Sequence, residues 1–196
     1  MTFNRRFILG AIAGSSFFGL PAVALTQAEA TKLIDNISAD LRNAIDNARS
    51  DADRFQRFEK IFAKYADVPR IAQKALGPTW RDASKAQRSA YVKAFQGFMA
   101  RFYGKRFREF KGFQITVTGA EKAPGGFLVD SRVQIKSGSP FDTQWHVISS
   151  GGRDRMFNMY IEGVSILADM RVQIGSMLDK RGGDIDKLTA HLNSST

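Results

Sequence analysis

The chain of 196 residues carries 29 lysines and arginines against 19 acidic residues, a net charge of +10, and it contains no cysteine. Its length suits one domain with a single core. Disulfides and cysteine nucleophiles are excluded, so the domain must be stabilised by burial of its apolar residues, which make up 43% of the chain.

The first 24 residues have the pattern of a secretory signal peptide. Paired arginines precede an apolar run over residues 7–20, and a small-residue cleavage site follows at Ala22-Val23-Ala24. The run is shorter than the roughly 20 residues that an ordinary membrane-spanning helix needs. We therefore predict a cleaved signal peptide over 1–24, exported by the general secretory or the twin-arginine route, and a single domain over 25–196.

Four helices are predicted in the first half of this domain. Thr26 followed by Glu29 is a capping box, and Ser50, Asp67 and Ser84 precede three further helical patterns. The second and fourth helices carry aromatic residues at intervals of three or four, which places them on one helical face. The two aromatic stripes are Phe55, Phe58, Phe62 and Tyr65, and Tyr91, Phe95, Phe98 and Phe102.

Strands are predicted from Gly112 onward, where the apolar period changes from 3.6 residues to two. Short turns of Gly, Ser and Pro join four alternating segments, 113–118, 127–136, 141–147 and 157–161. In the last of them Phe157 and Met159 fall on the same face as Ile161. An antiparallel meander with one solvated face is expected, followed by helices over 164–177 and from Asp184 to about Leu192.

The predicted fold is α+β, a curved antiparallel sheet of about four strands with helices packed on one face, like an NTF2-like cone. The space between the layers is either a filled core or an apolar pocket. Four of the six methionines fall within residues 156–178, and their unbranched side chains can serve either role. We hypothesise that ten inward-facing side chains line a pocket: Phe98, Phe102, Val129, Val133, Trp145, Val147, Met159, Ile161, Leu167 and Met170.

A catalytic centre finds little support in the sequence. The two histidines, His146 and His191, belong to no Ser-His-Asp set and to no metal-binding spacing. Glu162 is either a general base in a desolvated pocket or, as we favour, a charge that stabilises the N-terminus of the helix beginning near Val164. We therefore expect a protein that is not an enzyme and that holds no metal and no cofactor.

The segment from Phe102 to Phe113 mixes basic and aromatic residues. Such a mixture can stack on bases and bind phosphates, but an exported protein does not meet nucleic acid. The alternatives are a solvated basic face above an aromatic core, or contact with lipid headgroups or a partner. We expect anionic membranes and acidic proteins, and no nucleic acid, as partners.

Several motifs together resemble the MlaC family, also called the toluene-tolerance family, the periplasmic phospholipid-binding component of the Mla system. The resemblance covers residues 26–192, with Asn158 standing where an acidic residue is expected. The motifs are Tyr65-Ala66-Asp67, Leu76-Gly77-Pro78-Thr79-Trp80, and Ile161-Glu162-Gly163-Val164-Ser165 followed by Arg171 and Gln173.

This resemblance implies a monomeric periplasmic shuttle with phospholipid as its cargo. It would hold the acyl chains between sheet and helices, and dock in turn on an outer-membrane lipoprotein complex and an inner-membrane ABC transporter to maintain outer-membrane lipid asymmetry. The alternative is an exported small-molecule enzyme or binding protein of NTF2-like fold. A hinge over residues 162–165, or a tight fixed turn at Gly163, would set how the lipid enters.

Overall fold

The computed structural model describes residues 25–106, 110–136 and 138–195. The predicted signal peptide over 1–24 lies outside the described residues, as do Phe107 and Arg108 of the basic segment. Within the described ranges, no helix is both long enough and apolar enough to cross a lipid bilayer.

The described part of the chain forms six α-helices, and the predicted N-caps begin the early ones. At the first, the Glu29 N–H donates to Thr26 Oγ1 at 3.2 Å, and the Thr26 N–H donates to the Glu29 carboxylate at 2.8 Å. The hydroxyls of Ser50 and Ser84 likewise accept from backbone N–H groups three residues later. The helices are α1 (Gln27–Asp46), α2 (Asp51–Tyr65), α3 (Val68–Leu76), which continues as a 3₁₀ turn (Gly77–Trp80), α4 (Lys85–Arg106), α5 (Ile166–Asp179) and α6 (Ile185–Ser194).

The described ranges also form one antiparallel sheet of five strands in sequential order. Its strands are β1 (Gln114–Ala123), β2 (Gly126–Gln134), β3 (Phe141–Ser150), β4 (Arg153–Ile161) and β5 (Val164–Ser165). The predicted α+β fold is thus confirmed, with one strand more than expected. The extra strand exists because Glu162 and Gly163 both have positive φ, 47° and 78°, and so close a two-residue hairpin.

A β-bulge in β4 changes which side chains face the helices. His146 pairs with Asn158 but Val147 pairs with Met156, so Phe157 is an extra residue on β4. Met156 therefore shares the inner face with Val147, and Phe157 packs edge to face against the His146 ring. Phe157 and Met159 both pack against buried residues beneath the sheet, as predicted, and the bulge adds Met156 to them, which simple alternation cannot anticipate.

Two hydrophobic clusters, rather than the expected single core, are found among the described residues. One joins α3, α4, α5 and α6 around Phe95 and Met170. The other joins α1, α2 and the inner face of the sheet around Ile34 and Val147. Met156 packs against both clusters, so the seam between them runs past β4.

Candidate functional site

An open groove lies along the seam between the two clusters. Its cavity volume is about 140 Å³, and it is open to solvent on one side. Among the residues that the structure describes, no charged side chain lines it. The groove can therefore hold an apolar ligand, whereas a polar ligand would lose hydrogen bonds to water on entering it.

The sheet contributes one wall of the groove through Trp145, Met156 and Met159. The Trp145 indole N–H donates to Ser131 Oγ at 2.8 Å, and Ser131 Oγ lies 2.7 Å from Thr143 Oγ1. The polar atom of the indole is thus satisfied within the sheet. Trp145 consequently presents only apolar ring surface to the groove.

Helices α1 and α2 contribute the opposite wall. Ile37 and Leu41 lie four residues apart on α1, and Phe58, Ile61 and Phe62 lie at intervals of three and one on α2. Helical spacing places each set on one face. The two helices therefore cover the sheet wall with aliphatic and aromatic surface.

Helices α4 and α5 close the remaining side with Met99, Tyr103, Leu167 and Met170. Burial raises the pKa of the Tyr103 phenol to about 12, and the negative charge of Asp169 adds to the shift. The phenol stays neutral at physiological pH. Tyr103 is therefore an uncharged hydrogen-bonding group in an otherwise apolar wall.

A polar latch of Asp40, Lys64 and Tyr65 joins α1 to α2 beside the groove. Lys64 Nζ and Tyr65 Oη both donate to Asp40 Oδ2, each at 2.8 Å. The hydrogen bond from the Lys64 ammonium, with a second from Tyr65, lowers the pKa of the Asp40 carboxyl, and the same contact raises the pKa of Lys64. Because Tyr65 also lines the groove, the latch fixes the position of part of its wall.

Asn158 ties β4 to the start of α5. Its Oδ1 accepts from the backbone N–H groups of Met159 and Leu167 at 2.8 and 3.0 Å, and its Nδ2 donates to Ser165 Oγ at 3.0 Å. Ser165 Oγ also accepts from the Ala168 N–H and so caps the helix. This amide therefore holds Leu167 and the sheet wall at a fixed separation.

The ten predicted pocket residues separate into two groups in the structure. Four of them line the groove: Trp145, Met159, Leu167 and Met170. The other six lie in or against the adjoining clusters or at the end of β4, and their contact with a ligand remains a prediction. These six are Phe98, Phe102, Val129, Val133, Val147 and Ile161.

Packing explains why the six lie outside the groove walls. Helix α4 is apolar on several faces because α2, α3 and α6 pack around it. Phe98 and Met99 both belong to the helical cluster, but Phe98 is rotated by about 100° from Met99 on the helix, and only Met99 also lines the groove. Helix α1 crosses the inner face of strands β1 to β4 and packs with Val129 and Val147 in one cluster.

Sequence reasoning missed the α1 and α2 wall, although its signals were present. Ile37 and Leu41 belong to the apolar stripe of α1, and Phe58, Phe62 and Tyr65 belong to the aromatic stripe of α2. Periodicity showed that these faces turn inward. It could not show which inward face meets a cavity, since that depends on the packing angle of the helices.

The residues considered for catalysis do not line the groove. Glu162 is exposed and accepts a hydrogen bond from the Asp142 N–H at 2.5 Å, so it joins the β4–β5 turn to β3. It does not line the groove, so its interpretation as a general base in the pocket is wrong. The N-cap of α5 is Ser165, and a stabilising effect of the Glu162 charge on the N-terminus of this helix remains a prediction. His146 Nε2 lies 3.0 Å from the Pro124 carbonyl oxygen. Across the described ranges, no three His, Asp or Glu residues converge on a possible metal site.

Comparisons with known proteins agree with this geometry. The family model described as MlaC protein matches residues 31–194. The toluene tolerance protein Ttg2D of Pseudomonas putida is 23% identical over 165 residues, which span 83% of this chain and 75% of that protein. A phospholipid-binding protein of Ralstonia solanacearum, solved in complex with a phospholipid, superposes with a TM-score of 0.68 at 20% identity, covering 87% of this chain and 96% of that one.

Proposed function

This chain belongs to the MlaC family, and we propose that it carries a phospholipid whose acyl chains occupy the groove between the sheet and helices α1, α2, α4 and α5. The observation that supports this most directly is the groove itself, an open apolar seam without a charged lining residue among those described. The phospholipid bound by the Ralstonia solanacearum protein of the same fold also supports it.

The energetics of lipid transfer require such a groove. Two acyl chains contain about 30 methylenes, and each costs about 0.8 kcal/mol to expose to water, so an unshielded lipid faces a penalty on the order of 25 kcal/mol. A carrier has to replace the membrane interior with an equally apolar surface. Aromatic rings and methionines do so without polar atoms, and methionine adapts to acyl chains of different shape.

The proposed role is that of a periplasmic shuttle. The signal peptide over 1–24 would direct export, and the monomeric domain would exchange phospholipid between an outer-membrane lipoprotein complex and an inner-membrane ABC transporter of the Mla type. That exchange would maintain the lipid asymmetry of the outer membrane. Family membership and the basic charge of the chain support this assignment, which requires neither an enzymatic activity nor a cofactor.

We propose that Trp145, Met159, Leu167 and Met170 contact the acyl chains directly. The six other predicted residues form the layer next to the groove walls, and a long chain would reach them by displacing side chains at the seam. Substitutions in the two groups should therefore affect lipid content to different degrees.

Leu167→Asp tests this function. The variant places a charge in the groove, whereas Val172→Asp places the same charge on an exposed site of the same helix, where Val172 is 71% exposed. Lipid extracted from each purified protein is quantified by mass spectrometry. We expect near-equimolar phospholipid in the wild type and in Val172→Asp, and a loss of about tenfold or more in Leu167→Asp, because burying an unpaired charge costs several kcal/mol.

Circular dichroism establishes whether each variant is folded. If Leu167→Asp does not fold, Ile61→Asp at the half-buried α2 wall replaces it in the same comparison. A wild-type protein without bound lipid, or a folded groove variant with unchanged lipid content, would contradict the proposal. The first result would favour a small-molecule binding protein of the same fold.

A further inference from the structure

A second concave site, which we call the basic cleft, lies between the α3 end and α5. It has a volume of about 250 Å³ and shares no lining residue with the apolar groove. It brings together two motifs that are distant in the sequence, Leu76 to Trp80 and Arg171. The cleft is lined by Gln73, Lys74, Gly77, Pro78, Trp80, Arg81 and Arg171.

Three of these residues, Lys74, Arg81 and Arg171, are cationic, and none of the lining residues is acidic. In the part of the chain that the structure describes, the side chains of these three cations form no ion pair and no hydrogen bond. Nearby arginines differ, since Arg70 stacks on the Phe157 ring and Arg88 stacks on Trp80. The cleft thus concentrates positive charge that the fold itself does not use.

The guanidinium group of Arg171 lies over Gly77. A Cβ built at Gly77 would lie 3.6 Å from Nη2 of Arg171 and 3.8 Å from both Cζ and Nε. These nearly equal distances place the guanidinium face-on over the glycine. Because its N–H groups lie in the guanidinium plane, they extend sideways and remain available to an anion.

We infer that the basic cleft binds a phosphate group, supplied either by free phosphate or by a phospholipid headgroup at a membrane surface. Lys74, Arg81 and Arg171 approach from separate segments, and Gln73 adds an amide donor, which suits the oxygens of a tetrahedral phosphate. A carboxylate would be satisfied by one guanidinium alone. The half-buried Trp80 ring adds an apolar wall beside the charged groups.

The test compares two double variants. The cleft variant is Lys74→Gln/Arg171→Gln. The control is Arg42→Gln/Lys93→Gln, which removes the same charge from exposed positions on α1 and α4. Inorganic phosphate is titrated at constant ionic strength while the NMR signals of the Trp80 indole and the Gln73 side-chain amide are followed. We expect saturable shifts in the wild type and the control, and affinity lower by about tenfold or more in the cleft variant, since two charge-assisted contacts are lost. Equal weakening in both variants, or no saturation in the wild type, would overturn the inference.

Two further arms identify the source of the phosphate. In the first, the protein is floated with phosphatidylcholine vesicles that either contain or lack phosphatidylglycerol. Binding that requires both the anionic lipid and the intact cleft assigns the site to lipid headgroups. Binding of inorganic phosphate without binding to vesicles assigns it to free phosphate. An aspartate-rich peptide that competes as well as phosphate does would overturn the phosphate assignment. Phospholipid content, measured in the same variants, is expected to stay unchanged, which separates failure of the cleft from failure of the lipid groove.

Discussion

Asp40 illustrates how a single residue fixes part of the groove wall, because it holds Tyr65 in place. One carboxylate oxygen on α1 accepts hydrogen bonds from two side chains on α2, Lys64 and Tyr65. These contacts hold the pKa of Asp40 below its ordinary value. A carboxylate whose pKa is lowered in the folded state stabilises that state while it is ionised.

The Asp40→Asn variant should therefore melt at a slightly lower temperature than the wild type at neutral pH. The folded-state pKa lies below the unfolded value of about 3.9, so this stabilisation is present above about pH 4 and is lost as the pH falls through the folded-state pKa. Thermal unfolding followed by circular dichroism at several pH values measures the effect. Asp35→Asn, at an exposed position on the same helix, is the control, and a difference that did not diminish as the pH falls below about 4 would exclude the latch as its cause.

Asn158 stands where the family resemblance predicts an acidic residue, and its hydrogen bonds explain why the β4–α5 junction forms without one. Its amide accepts from Met159 and Leu167 and donates to Ser165. An ionised acid at this position could accept the same backbone N–H groups but could not donate. The amide therefore satisfies the junction between β4 and α5 by itself.

At the scale of elements, the β4–β5 hairpin and the bulge in β4 determine which residues face the groove. The hairpin turns the chain back through two residues with positive φ, Glu162 and Gly163, and α5 begins directly after the short β5. The bulge brings Met156 to the inner face. The predicted hinge over 162–165 thus coincides with a tight two-residue turn, and its motion remains a prediction.

Substitution by alanine should change the stability of the protein in opposite directions at two glycines, one in the β4–β5 turn and one inside α5. Gly163 has φ of 78° and Gly175 lies inside α5, and an added Cβ would meet no atom within 4 Å at either site, so only the backbone differs. Gly163→Ala should destabilise the protein by about 1–2 kcal/mol. Gly175→Ala should stabilise it by about 1 kcal/mol. Urea unfolding measures both, and equal effects of the same sign would show that the turn conformation does not limit stability.

At the scale of the whole molecule, the basic charge and the seam between two clusters serve different parts of the proposed cycle. The groove lining carries no charge among the described residues, whereas the exposed cations lie in solvent, where dissolved salt screens them. Electrostatic attraction between exposed charges is screened over about 8 Å at physiological ionic strength. Docking and cargo binding should therefore differ in their dependence on salt.

We expect binding to the purified inner-membrane transporter complex to weaken severalfold between low and physiological salt, because docking depends on exposed charge. The amount of phospholipid retained by the carrier should not change over the same range. Surface plasmon resonance and lipid extraction measure the two quantities. Docking that does not respond to salt would contradict the electrostatic account.

The sequence by itself determined the elements of this protein. Caps such as Thr26 and Ser84 act within a few residues, and the change from period 3.6 to period two at Gly112 reports directly which side chains turn inward, so the helices, the meander and the α+β class could be predicted. Local patterns also identified the motifs that resemble the MlaC family.

Only the tertiary structure decided where the inward faces leave a cavity. Phe98 and Met99 are neighbours on α4 and are both buried in the helical cluster, yet only Met99 also lines the groove. The bulge that brings Met156 inward depends on pairing between β3 and β4. A groove is the volume that packing leaves unfilled, and that volume depends on helix crossing angles and strand register, which arise from contacts between residues far apart in the chain.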